Sequence, residues 1–218
     1  MSRCEAVIEE IQRAFGGNAY PGKRFLQGSF EGCEPHDEVG PFEKVDDWRS
    51  IDADFLDGHA NALSFFSEAG FRYFLPAYLI ADLRGQLQTA SPLFHLTHGF
   101  SDCTTEVPAG DRTFKVRHGR TAFINPRRYG AMTSYDYARC RLSVFTREEA
   151  NAIVAYLEFK RDLDPDVIDN TAIDAALTSF WLERARTAPP ARSLAQHVAE
   201  QEEYLAAISP NTEEDTEE

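Results

Sequence analysis

Leu63 to Leu83, LSFFSEAGFRYFLPAYLIADL, is the densest apolar run in the chain and constrains the fold more than any other stretch. Ser67 carries a short hydroxyl able to accept from a free backbone N–H one turn on, so the spacing predicts a helix beginning just after it. Phe71, Leu75, Tyr78 and Leu79 recur on one face, while Phe74, Ala77 and Ile80 cover the rest. A helix this apolar all round belongs in a core. Pro76 lacks an N–H and crowds the preceding turn, which predicts a kink or two short helices meeting there. Arg72 is a structural residue in this reading: its buried guanidinium needs acceptors, and a carboxylate between Asp46 and Asp57 is the expected partner.

The rest of the chain arranges itself around that run. Cys4, Ile8, Ile11 and Phe15 fall at i, i+4, i+7 and i+11, an amphipathic helix stopped by Gly16 and Gly17. Residues 18–41 are rich in Gly and Pro and show no period, so they form a long irregular connection that lies on the surface or carries function. Trp48, Ile51 and Phe55 sit among acids and suggest short helices leading into the core, with Trp48 as a structural anchor. Phe114 with Val116, then Cys140, Leu142 and Val144, alternate with polar residues at a period of two, which predicts short strands. Thr146 and Glu149 form a capping-box pattern ahead of the stripe Ala150, Ile153, Val154, Leu157. After Asp164-Pro165, the residues Ile173, Ala176, Leu177, Phe180 and Trp181 mark another apolar helix face, and Pro189-Pro190 ends it. The expected class is α+β, mainly helical, with a small antiparallel sheet or ribbon over about residues 112–145.

At 218 residues the chain can bury one substantial core, and a single globular domain over residues 1–188 is the expected organisation. A C-terminal amphipathic helix over 189–210, with Leu194, Val198, Leu205 and Ile208 as a narrow apolar stripe, offers a route to homo-oligomers. Residues 211–218 are an acidic tail without apolar residues and are expected to be disordered. The net charge of −14 stays strongly negative without the tail's five acids. Such a surface favours a basic partner and disfavours coating DNA or an anionic membrane. No leader pattern and no membrane-spanning apolar run is visible, and Cys4, Cys33, Cys103 and Cys140 are scattered as reduced thiols would be, so the expected location is the cytoplasm.

Ser64 to Leu79, SFFSEAGFRYFLPAYL, together with Ala19-Tyr20-Pro21-Gly22, Trp48 and the block LSVFTREEANAIVAYLEFKR from Leu142 to Arg161, resembles a bacterial family of uncharacterised domains. The resemblance spans about Ile8 to Arg184 and is most specific over Phe71 to Leu79. It implies a shared fold and carries over no functional residue.

Candidate chemistry is sparse. Gly17 to Arg24 matches the opening of a phosphate-binding loop, but Arg24 stands where a magnesium-binding hydroxyl is needed, Pro21 removes an amide, and a helix precedes the loop where a strand should. It reads as a Pro-Gly turn. Cys33, His36, His95, His98 and Cys103 have metal-ligand spacing, as Cys33-x-x-His36 and His95-x-x-His98 clips that would close a tetrahedral zinc site. Against that stands the ordinary role of such residues as packed or surface side chains; no cofactor is expected otherwise. Asp46, Asp47, Asp52, Asp54 and Asp57 crowd one region as a paired-carboxylate hydrolase would require, although acids so placed usually cap helices and turns.

Charge is segregated. Arg112, Lys115, Arg117, Arg120, Arg127, Arg128, Arg139, Arg141 and Arg147 face only Asp111 and Asp136 in their segment, interleaved with Phe114, Phe123, Tyr129, Tyr135 and Tyr137. Arginine forks with aromatic faces suit single-stranded nucleic acid, whereas arginines alternating along a strand also form the solvated side of a half-buried sheet. The primary expectation is therefore a non-enzymatic, acidic, cytoplasmic binding protein, immunity or antitoxin-like, that engages a basic protein. The alternatives are a zinc-dependent hydrolase and a nucleic-acid binder through residues 112–147.

Overall fold

Helix formation at the apolar run begins where a hydroxyl can cap it. In the computed structural model, which describes residues 2–100, 103–110, 112–119, 122–125, 130–163 and 169–188 with the single residues Ala199 and Glu203, the Ser67 Oγ accepts from the Gly70 N–H at 2.9 Å. The described chain falls into two compact units, residues 2–92 and 93–188.

The first unit is built on one long helix. Helices α1 (Arg3–Phe15), α2 (Glu34–Val39), α3 (Ala53–Gly58) and α4 (Ala62–Phe65) precede α5 (Glu68–Leu83), which runs unbroken with Pro76 inside it and is not two short helices. Every α5 residue except Arg72 and Asp82 is buried. Each large side chain fully withdrawn from water there, such as Phe71, Phe74, Leu75 or Leu79, stabilises the fold by about 1.5–3 kcal/mol. Helix α1 packs on α5 through Val7, Ile8, Ile11 and Phe15, and the Cys4 thiol donates to the Leu83 carbonyl at 3.3 Å. Phe42 centres the aromatic core, its ring 4.9 Å from those of Phe55, Phe66 and Phe74.

The irregular connection after α1 does not stay on the surface. It crosses the start of α5: the Ser67 N–H donates to Leu26 O and the Gly28 N–H to Phe65 O, both at 2.7 Å, and the Ser67 hydroxyl donates to Phe25 O. Two glycines permit this approach. A Cβ on Gly70 would sit 2.7 Å from Leu26 O, and one on Gly28 would sit 2.8 Å from Phe66 O, both too close for any side chain.

The second unit holds α6 (Pro92–Thr97), α7 (Ser134–Leu142), α8 (Arg147–Leu163), α9 (Asp169–Ala176) and α10 (Leu182–Thr187). The capping box forms as the sequence indicates: the Thr146 N–H donates to Glu149 Oε2 at 2.7 Å and the Glu149 N–H to Thr146 Oγ1 at 3.2 Å. A π-helical turn, Leu177–Trp181, joins α9 to α10. Trp181 is wholly buried there and donates its indole N–H to Leu96 O at 2.9 Å. Arg184 donates to the Ser143 and Phe145 carbonyls, just past the end of α7.

The α+β class is corrected by this fold, which is mainly helical. Strand pairing is confined to two separate antiparallel hairpins, β1 (Cys103–Ala109) with β2 (Arg112–Gly119) and β3 (Ala122–Asn125) with β4 (Gly130–Thr133). No third strand joins either hairpin among the described residues, so neither builds into a sheet layer. The period-two reading of Cys140, Leu142 and Val144 fails for a physical reason. Ala138 and Leu142 are the buried pair, four apart on α7, while Val144 and Phe145 fill the core from the turn that follows. The stripe Leu194, Val198, Leu205, Ile208 and the acidic tail lie outside the described residues.

Candidate functional site

A cavity of about 270 Å³ opens in the first unit, lined by Asn18, Ala19, Tyr20, Pro21, Ala69, Arg72 and Tyr73. Its parts come from two places. Gly16 and Gly17 end α1 and turn the chain across the beginning of α5, where Ala69, Arg72 and Tyr73 recur at helical spacing and face that crossing. Arg49 fastens the turn: it donates to Gly16 O at 2.6 Å and to Asp47 Oδ1 at 3.1 Å, with its guanidinium 4.8 Å from the Trp48 ring centre.

The polar groups of the lining are mostly hydrogen-bond donors. Arg72 donates to Asn18 Oδ1 at 3.2 Å, across 54 positions of sequence. The Tyr73 hydroxyl donates to the Asp46 carbonyl. The Tyr20 ring stands edge-on to Tyr73, with centroids 5.5 Å apart, yet the Tyr20 hydroxyl is buried with no hydrogen-bond partner among the described residues. An unsatisfied buried hydroxyl costs about 1–3 kcal/mol. Burial raises the pKa of this phenol, and Glu43, Tyr73 and Asp46 push it the same way. Burial is also the largest influence raising that of Tyr73. Both phenols therefore keep their protons at neutral pH. The lining residues include no nucleophile beside a general base.

Three of the five acids that invited a hydrolase reading accept from backbone N–H groups. Asp47 Oδ1 accepts from the Arg49 N–H at 3.0 Å, and Asp52 caps α3 by accepting from Phe55 N–H at 2.8 Å. Asp57 takes the N–H groups of Gln88, Thr89 and Ala90 at 2.8–3.0 Å. Burial pushes the Asp57 carboxyl up, but these donors and the Thr89 hydroxyl outweigh it and bring the pKa down to about 2.

The metal-spaced residues divide between the two units. Cys33 is the exposed N-cap of α2 and His36 lies on α2, in the first unit; His95 lies on α6 and His98 just beyond it, in the second. Burial, with Arg141 and His98 adding to it, lowers the His95 pKa to about 3, so that ring is neutral. The His98 ring stacks on Phe94 at 4.7 Å. Cys103 lies on β1. Among the described residues no three His, Cys, Asp or Glu side chains gather as a metal ion requires.

The basic segment spans a hairpin and a helix. Lys115 and Arg117 pair in register with Glu106 and Thr104 on the β1–β2 ladder, beginning beside the exposed Arg112. Arg139 lies on α7 with its guanidinium 5.4 Å from the Tyr135 ring centre, and Arg141 donates to the Tyr137 hydroxyl at 3.4 Å. Arg120, Arg127 and Arg128 lie outside the described residues.

A family model described as a family of unknown function, DUF6714, matches residues 4–185. The chain belongs to DUF6714. No curated protein and no solved structure matches it. The DUF6714 region covers most of residues 1–92 and 93–188 and the whole pocket lining. Its pocket joins Ala19-Tyr20-Pro21 to Ala69, Arg72 and Tyr73, drawn from two of the stretches on which the family resemblance rests. Sequence reading named those stretches without seeing a site in them; a tyrosine set in a Gly- and Pro-rich turn was the available signal. Among the described residues no helix is long and apolar enough to cross a membrane.

Proposed function

We propose that this protein works by binding a basic protein partner through the acidic stretch Glu31–Asp57 of its first unit, in the manner of an immunity or antitoxin-like protein. The observation that carries the reading is where the charge sits. Residues 1–92 hold 15 acidic against 8 basic side chains, whereas residues 93–188 hold 13 of each. Between Glu31 and Asp57 the count is 10 against 2, and Glu31, Glu34, Asp37, Asp46, Asp52 and Asp54 are exposed. Asp47, Asp52 and Asp57 are fixed on backbone amides, so part of this field is preorganised. A surface of one sign speeds encounter with a basic partner and rejects acidic ones. Cys4, Cys33 and Cys140 are free thiols, which supports action in a reducing compartment such as the cytoplasm.

The test is capture of the intact chain from its own cells at low salt, beside a Glu34→Lys, Asp37→Lys, Asp54→Lys variant. One stoichiometric basic protein, released as salt rises and absent from the variant, is the expected result. Capture of the same protein in equal yield by the variant would refute the reading, as would the absence of any stoichiometric basic chain.

A further inference from the structure

The cavity over α5 borders that acidic stretch but presents hydrogen-bond donors. We propose that it is a binding site for a small monocarboxylate. Arg72 supplies a positive charge and a planar set of N–H groups, the geometry that matches a carboxylate. The Tyr20 hydroxyl supplies a protonated donor that finds no acceptor among the described residues. Ala19, Pro21, Ala69 and the Tyr73 ring form an apolar wall for the ligand's body. A volume of about 270 Å³ falls just below the range of drug-sized pockets, about 300–1,000 Å³, which fits a fragment with one small ring or a short chain.

The number of charges is also selected. Arg72 is the single cation in the lining, while Glu43 and Asp46 lie close enough to raise the Tyr20 phenol. One positive group beside two carboxylates tolerates a monoanion and opposes a doubly charged phosphate. The carboxylate end of a peptide shares this chemistry, but the cavity holds only a fragment, so a free acid is the assignment.

Isothermal titration with sodium benzoate, against benzamide, inorganic phosphate and a tripeptide with a free C-terminus, tests the site. Benzoate should bind saturably, with benzamide and phosphate each at least tenfold weaker. Tyr20→Phe removes a hydroxyl that bonds nothing among the described residues, so this variant should melt no lower than the parent. It should nonetheless bind benzoate about tenfold more weakly, about 1.4 kcal/mol. Arg72→Gln should abolish binding; should that variant not fold, the Tyr20→Phe comparison decides. Benzamide or phosphate equal to benzoate, or unchanged affinity in a well-folded Tyr20→Phe, would overturn the proposal. A tripeptide binding tenfold more tightly than benzoate would overturn the free-acid assignment.

Discussion

Asp57 shows how little a side chain's type says about its task. In sequence it is one acid of five in a short region, available to chemistry; in the fold it holds a loop 31 to 33 positions away by three backbone N–H groups. Its pKa is lowered from 3.8 to about 2, so the unfolded chain binds the proton more readily. The stability it contributes is therefore complete above about pH 4 and is lost as pH falls from there through about 2. Asp57→Asn should unfold at lower urea than the parent at pH 7, and the difference should shrink by pH 2.5. A difference as large at pH 2.5 as at pH 7 would show that the charge is not what holds the loop. Residues whose partners are local were legible: Ser67 and the Thr146–Glu149 box act three positions away. Arg72 was legible as a group in need of an acceptor, with a carboxylate between Asp46 and Asp57 as the expected partner; Asn18, which accepts from it, lies 54 positions off, farther than any spacing rule reaches.

Among elements, the helices with a periodic apolar face were readable and the irregular ones were not. Helix α1 and the core helix follow their stripes, whereas the end of α7 reads as strand because Ala138 and Leu142, its buried apolar residues among those described, are too few to set a period of 3.6. The segment after α1 shows no period of its own, since what shapes it is the surface of α5 beneath it. That contact yields a prediction of defined sign. Alanine exceeds glycine in helix propensity by about 1 kcal/mol, so Gly70→Ala would stabilise an isolated α5. Here the new methyl meets the Leu26 carbonyl at 2.7 Å, and overpacking of this kind costs about 1–3 kcal/mol. Gly70→Ala should unfold at a lower urea midpoint; an unchanged or higher midpoint would show that the crossing segment yields freely.

At the scale of the molecule the informative quantity is the distribution of charge. Composition gave the total of −14, but that the second unit is balanced and the first unit carries excess acid became visible only with the unit boundary in hand. Like charges held together repel, and salt screens them within about 10 Å at 0.1 M. Raising sodium chloride from low concentration to 0.5 M should raise the melting temperature, and the Glu34→Lys, Asp37→Lys, Asp54→Lys variant should show a smaller rise. A parent melting temperature that falls with salt would mean that attractive pairs outweigh the repulsion. The close crossing of Phe25 and Leu26 over Ser67 bears on synthesis as well. The paired residues are 42 apart, so α1 and the segment that follows leave the ribosome on the order of seconds before the helix they embrace. For that interval the apolar stripe of α1 has no native surface to cover it, and this is the moment at which the nascent chain is most open to aggregation.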